Sequence, residues 1–569
     1  MFKKKPRDIH LAPPHAPPGW IDGDDSPPRG ISTKMYSFRG LLRSADLFVV
    51  PPYQRAYSWR EEEVEKLLAD FMKALDEKKE SYFLGTSVRQ RQADGSYQVI
   101  DGQQRMMTLT LLIAYLRDVS TDPAVKAHLQ ELIAPRGRGR VIVRRADQQL
   151  VADCVQRPGR LADLTEAARS PSQKRLAEAA GLIIEAMRDL TQEQVCDVAH
   201  FICRRVTFNV VDADPEVSAA TLFNVLNQRG LRLPESALVK SQLLVSSGIP
   251  QDEAGELSDR WDQLEDALGQ DDFEQLLRLT PLLITGGAKK KDADLSLFYA
   301  AEFSAKQAAD FVRDRIWIYA EIFRLFRGAE IERLDASANT KRLLKLLLTY
   351  SEKHWMAPAI DFLMRYPPDA PETEQFLFGL ERLCFLRVMG LVQHNAIGPR
   401  FIRALAAHGD LKAAFQPNVL GLKEGEGPAA IERFNTPIPT NAGRRRSLAI
   451  RANACIDGGE VPLGEYWEAT AEHIKPLGDT PYWRTKFPRA GAKEQFNNLL
   501  GNLTLLTQPQ NDKAANLSFE EKLIIYRDKR YPLRALTRTL EDVGEWNEFE
   551  LRKRHEMLVF ALSEDLRLN

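Results

Sequence analysis

Residues 466–479 read YWEATAEHIKPLGD, and residues 496–522 read FNNLLGNLTLLTQPQNDKAANLSFEEK. The apolar run Leu503–Leu506, bounded by Gly501 and Pro509, has the length and the flanking turn residues of a strand. Beyond Pro509, Leu517, Leu523 and Ile524 fall at helical spacing within Asn511–Tyr526. The expected local order is a histidine at a strand end, a loop, a second strand and then a helix.

Such an arrangement suits hydrolysis of a phosphodiester. The reaction needs a base to take a proton from water and a divalent metal to neutralise the leaving oxygen. Neutral imidazole is matched to the first task near neutral pH, and His473 can supply it. Adjacent Glu472 and the amide of Asn511 offer hard oxygens suited to magnesium, which keeps water in the rest of its shell. The alternative for EHIKP by itself is a surface His-Pro turn before a buried strand.

This pattern resembles the HNH (His-Me finger, ββα-metal) nucleases. The longer match, EHIKP followed by GNLTLL, Asn511, Asn516, Phe519 and Lys522, resembles the nuclease half of GmrSD-type, modification-dependent (type IV) restriction endonucleases. The resemblance implies that His473 is the general base, that Glu472 and Asn511 bind Mg2+ or Mn2+, and that Asn502 braces the catalytic loop around the histidine.

At 569 residues the chain exceeds what one hydrophobic core serves, so two or three domains are expected. Net charge is −1, so no global basic field marks a nucleic-acid binder and any such contact must be local. The five cysteines are scattered without a CxxC pair, which reads as reduced thiols. No apolar run approaches a bilayer span and the N-terminus has no apolar h-region, so a cytoplasmic protein without membrane contact is expected.

Residues 1–33 are rich in Pro, Gly and charge and are expected to form a flexible arm. A short helix near Ser37, a strand at Leu47–Val50 and a helix from Arg60 follow. Between strand and helix, Tyr53, Gln54 and Arg55 lie in a loop dense in aromatic and hydrogen-bonding groups, equally able to bind or to fold onto the core. Next, SYFLGTSVRQR and SYQVIDGQQR flank the turn Ala93-Asp94-Gly95-Ser96, predicting a hairpin. Its second strand runs directly into Asp101-Gly102-Gln103-Gln104-Arg105 and an apolar helix. A helix start of this kind offers free N–H groups to an anion, or is simply a capped N-terminus.

VPPYQRAYSW, YFLGTSV and VIDGQQRMMTL, in this order, resemble the N-terminal half of the same GmrSD-type enzymes, and the related phosphorothioate-sensing SspE enzymes share both halves. That resemblance implies a ParB/sulfiredoxin-like domain that binds or hydrolyses a nucleotide. Asp101, Gly102, Gln103, Gln104 and Arg105 would then line a nucleotide pocket, and Tyr53, Gln54 and Arg55 would lie nearby in the sensing of substrate or its modification. Asn227, Arg229, Gly230 and Lys240 match an Asn-x-x-Gly turn with a downstream lysine that completes this pocket; a C-capping turn is the bland alternative. The nucleotide (ATP, GTP or UTP) and the DNA mark (glucosylated hydroxymethylcytosine or phosphorothioate) are not distinguished. Asn224 departs from the acidic residue often found in the family.

The cluster Arg136, Arg138, Arg140, Arg144 and Arg145 reads as a solvated edge or a phosphate contact. From Leu257 to Arg403 the chain is helix-patterned, with Trp261, Trp317 and Trp355 as expected core. Residues 424–446 read as a linker or domain edge whose Arg444–Arg446 could lead DNA to the site, and His555 reads as a surface residue. The whole is expected to be a multidomain, mostly helical α+β protein: arm 1–33, ParB-like sensor 34–250, helical coupling region 251–425 and HNH domain 426–569. The expected function is an anti-phage nuclease acting on modified double-stranded DNA, with a nucleotide triphosphate as co-ligand and homo-oligomerisation if both strands are cut. The rivals are a binding effector with an inactive nuclease and an RNA-cleaving effector.

Overall fold

A computed structural model of the chain describes residues 30–45, 47–51, 54, 56–214, 235–246, 249–287, 295, 298–299, 303–437, 441–458, 462–478, 480–488 and 495–569. It divides into two compact units, Met1–Leu233 and Pro234–Asn569. Of the sequence expectations, residues 1–29 of the arm and Tyr53, Arg55, Asn224, Asn227, Arg229 and Gly230 lie outside the described residues.

In the first unit, β-branched and aromatic segments assemble a mixed six-stranded sheet. Its strands are β1 (Ile31–Ser37), β2 (Phe48–Val49), β3 (Tyr82–Arg91), β4 (Tyr97–Asp101), β5 (Val141–Ile142) and β6 (Val206–Ala213), in the order β1-β6-β3-β4-β2-β5. The expected hairpin is β3–β4, antiparallel, with Arg91 opposite Tyr97. β6 pairs parallel with β3 and antiparallel with β1. Residues 31–33, expected within the flexible arm, therefore form the start of β1, opposite Val211–Ala213.

Helices α1 (Phe38–Arg43), α2 (Glu61–Asp76) and α3 (Gln103–Val119) pack with the sheet around one core that runs from Phe38 to Val210. The two longer helices differ in the way their sequences require. α2 buries one stripe, Val64, Leu67, Leu68 and Phe71, and keeps three glutamates in its first turn, where the helix dipole favours negative charge. α3 is apolar nearly all round and is buried along most of its length. The arginine cluster is neither a solvated edge nor a phosphate contact as a whole. Arg140 is buried and donates to the carbonyls of Leu42, Ala45, Glu131 and Leu132, and Arg144 is buried against Asp147 and Ser172.

The second unit is mostly helical. One apolar cluster extends from Val239 to Leu568 and includes Trp261 and Trp355, with Trp317 packed on it. This core includes residues on both sides of 425/426, and the two compact units divide in sequence at Leu233/Pro234. Residues 424–446, expected as a linker, carry the helix Glu426–Phe434, which buries Ala430 and Phe434, and lead into the helix Ala442–Asp457. Two short strands, β7 (Ala469–His473) and β8 (Leu503–Thr507), form a separate antiparallel pair. No helix among the described residues is long and apolar enough to cross a membrane.

Candidate active site

The register of the β7–β8 pair sets Glu472 opposite Thr504 and His473 opposite Leu503. β8 is buried throughout and runs straight into the helix Gln508–Ala514, whose start is fixed by a reciprocal Thr507–Gln510 capping box. The order strand, loop, strand, helix is the one expected from sequence. A compact cluster of Ile474, Trp483, Phe496, Leu506, Phe519 and Trp546 forms the floor beneath it.

Because side chains alternate along a strand, Thr470 and Glu472 share one face of β7 while His473 ends it on the other. Asn511 is tied to the first of these faces, its Nδ2 donating to Thr470 Oγ1 at 3.1 Å. That bond uses one of the two N–H donors of the amide and leaves Oδ1 as its acceptor. Glu472 is nearly buried, and Lys522 Nζ donates both to its Oε1 at 2.5 Å and to the His473 carbonyl at 2.8 Å. Burial pushes the Glu472 carboxyl above the usual carboxylate range, with the Lys522 ammonium opposing the shift. Lys522 thus clamps two consecutive residues of the strand end.

His473 is 8% exposed, and its Nε2 lies 3.2 Å from Asn498 Oδ1. Burial lowers its pKa to about 4, and the charges of Arg445, Lys522 and Lys475 push the same way, so the ring is neutral at neutral pH. Asn502 is fully buried and is set by the loop rather than by a reacting atom. Its Oδ1 accepts from Lys475 N at 2.7 Å, and its Nδ2 donates to the carbonyls of Lys475 at 2.9 Å and Asn497 at 3.0 Å. Its backbone carbonyl accepts from Ile474 N. The residue expected to brace the histidine loop sits where it can do so.

Among the described residues no group of three or more His, Cys, Asp and Glu could hold a metal ion. The donor chemistry nevertheless fits a largely hydrated magnesium ion, since the Asn511 amide oxygen and the Glu472 carboxylate are hard oxygens facing from one side of β7. Glu472 would have to share its carboxylate between such an ion and Lys522.

His555, expected at the surface, is instead 6% exposed and accepts from Gly501 N through Nδ1 at 3.2 Å. A Cβ on Gly501 would come within 2.6 Å of the His555 side chain and of the Leu551 carbonyl, so only glycine allows the C-terminal helix this close. Burial lowers the His555 pKa to about 4 as well. Both histidines have folded-state values below the ordinary 6.5, so the unfolded chain binds more protons between these limits. The stability of the second unit should be complete above about pH 6.5 and fall toward pH 4, by on the order of 3 kcal/mol per histidine. Urea unfolding at several pH values checks this, and His555→Gln should flatten part of the slope.

In the first unit, Gly102 adopts a left-handed conformation (φ 97°) at the junction of β4 and α3, where a Cβ would meet Ser87 Oγ at 2.8 Å. Asp101 and Arg105 pair with each other at 3.0 Å, and Arg105 also donates to the Leu84 carbonyl. Gln104 is committed to the neighbouring loop, accepting from Ser58 N and donating to the Ala56 carbonyl, both at 2.9 Å. Gln54 is buried and donates to the Ile100 carbonyl at 2.7 Å. The cavity beside Gln103 and Gln104, lined by Val50, Tyr57, Met107 and Leu176, measures only about 30 Å3, room for a water and not for a nucleotide. Lys240 belongs to the second unit, where it is buried and paired with Asp262 at 2.7 Å.

Comparison with known families adds the identity of both halves. The family model of the GmrSD restriction endonuclease N-terminal domain matches residues 38–244, and that of the C-terminal domain matches residues 441–560. Together they span more than half of the chain, in that order. The chain belongs to the GmrSD restriction endonuclease family. No curated protein matches it. Each expected site residue falls inside a matched GmrSD segment, including Lys240, which the N-terminal match carries past the division between the units. Membership makes this a nuclease of the phage-defence class. The Lys522 clamp and the His555 contact were not among the sequence expectations of role; EEK closing the motif was the one signal for the former.

Proposed function

We propose that this GmrSD-family protein is a modification-dependent DNA endonuclease, with a one-metal HNH (ββα-metal) site in its second unit and a ParB/sulfiredoxin-like nucleotide-responsive sensor in its first. The observation that carries the catalytic part is the neutral, loop-braced imidazole of His473 at the end of β7, next in the chain to Glu472, whose side chain shares the other face of the strand with Asn511. Donation from Nε2–H to Asn498 Oδ1 leaves Nδ1 as the nitrogen that accepts a proton. Water loses that proton as its oxygen attacks phosphorus, and the bond from phosphorus to the departing sugar oxygen breaks. Lys522 and Asn502 hold the strand end and the following loop so that the imidazole keeps its place. A divalent ion held by Asn511 and Glu472 would supply charge neutralisation at the departing oxygen. Asp101–Arg105 carry the sensor part, which requires the small cavity to open before a nucleoside triphosphate can enter.

The test compares supercoiled plasmid, phage DNA carrying glucosylated hydroxymethylcytosine and single-stranded RNA in magnesium, with and without each triphosphate. Asn511→Ala should cut DNA nicking by about 10–100-fold and raise the magnesium concentration that nicking requires. RNA cleaved in preference to every DNA would replace this function with that of an RNA-cleaving effector.

A further inference from the structure

Apart from the residues around His473, the second unit contains a cleft of about 640 Å3 lined by parts of four helical segments. Its charged lining is Arg278, Lys353, Arg387, Arg444 and Arg446, with one carboxylate, Glu352; of these, Arg278 is paired with Glu235 and Glu274 outside the lining. Two features leave part of this charge uncompensated.

The helix Ala442–Asp457 opens with Arg444, Arg445 and Arg446 and has no acidic residue in its first turn. Cations at a helix N-terminus oppose the helix dipole, so an isolated helix of this sequence is disfavoured unless an anion lies against its start. Arg387 Nε is shut off from solvent and has no hydrogen-bond partner among the described residues.

The same helix leads to the candidate active site. Arg446 donates to the carbonyls of Tyr466, Trp467 and Ala469, which ties its first turn to the start of β7. Arg445, between the two cleft arginines, is outside the cleft lining and adds its charge to those acting on His473. A chain of phosphates seated in the cleft would therefore continue toward the strand that ends in His473.

We infer that this cleft binds the phosphodiester backbone of the DNA substrate, with Arg387 and Arg444 as phosphate ligands and Arg446 as the tie to β7. The inference rests on the proposed function for its substrate. Backbone contacts of this kind are blind to sequence and to base modification, and each releases counterions on binding.

The test is binding of a fluorescein-labelled, unmodified duplex, followed by anisotropy over a range of salt concentrations with EDTA present. Arg387→Gln/Arg444→Gln should lower the salt dependence by about 1.8 in log–log slope and weaken binding roughly thirtyfold at 0.15 M salt. Arg387→Lys/Arg444→Lys keeps the charges and should retain most of that slope, which guards against a folding defect in the first variant. Arg530→Gln removes an exposed arginine outside the cleft and should leave the slope unchanged. A glutamine variant that matches wild type, or wild-type binding without a salt slope, overturns the assignment. So does a variant that keeps the duplex but no longer binds a nucleoside triphosphate, since the cleft is then a nucleotide site. Nothing is cut in this assay, so failure of His473 chemistry leaves its readout untouched.

Discussion

Alanine at position 473 should reduce nicking of DNA by about 10²–10⁴-fold, the range a positioned general base contributes, while leaving the fold in place. The side chain is exposed by only 8%, yet its one side-chain hydrogen bond among the described residues is the 3.2 Å contact with Asn498. The loop after it is held by Asn502, and the strand end by Lys522, neither of which depends on the imidazole. The loss should therefore fall on turnover rather than on DNA binding. With the pKa near 4, wild-type activity should stay level from neutral pH down to about pH 5 before the base protonates. The substitution should also remove that acid limb.

Glu381→Ala should destabilise the second unit by about 3–5 kcal/mol, read as a lower urea midpoint with unchanged slope. Glu381 is fully buried, and its Oε1 accepts from Tyr350 OH at 2.7 Å and from Arg451 Nε at 2.8 Å. Arg451 also pairs with Asp565 at 2.5 Å, and Asp565 in turn pairs with Arg342 at 3.0 Å. These ions join four helices that are far apart in sequence, Ala338–Thr349, Pro371–Val388, Ala442–Asp457 and Glu548–Asp565. Removing Glu381 leaves the buried Arg451 guanidinium with Asp565 as its remaining carboxylate among the described residues and takes the acceptor from Tyr350 OH, and losing one partner of a buried pair costs more than the pair contributes. Replacing both partners, as Glu381→Leu/Arg451→Met, should recover much of the loss. If the double variant is as unstable as the sum of the single ones, the network acts through packing and not through charge.

The parts of this protein that sequence revealed are those set by neighbours in the chain. Alternation and turn residues gave the β3–β4 hairpin, the strand Leu503–Thr507 and the Asp-Gly junction into α3, because each depends on a few adjacent residues. The Pro- and Gly-bearing stretch 424–446 read as a linker or a domain edge, and composition did not choose between them because tertiary packing decides it, Ala430 and Phe434 being buried despite their polar neighbours. The C-terminal helix departs from the usual pattern in part, beside a buried stripe of Leu551, Leu558 and Leu562. It buries Arg554 and His555 while exposing Phe549 and Phe560, since Arg554 is needed by the carbonyls of Gly501, Leu503 and Leu536. At the candidate site the motif singled out Glu472, His473 and Asn511 as expected site residues, two at the end of β7 and one on the helix that follows β8. The Lys522 clamp reaches across 50 residues to Glu472, and the basic cleft gathers Arg387 and Arg444 from separate helices. No local pattern carries either.

The most direct test of the central claim is plasmid nicking by the His473→Ala protein with increasing imidazole in the buffer. A base supplied from solution can take the place of the missing ring only if proton transfer at that point is what was lost. The account predicts almost no nicking without imidazole and a rate that rises with its concentration, with no such rise for Asn511→Ala. Nicking by His473→Ala at the wild-type rate, with no imidazole present, would contradict it.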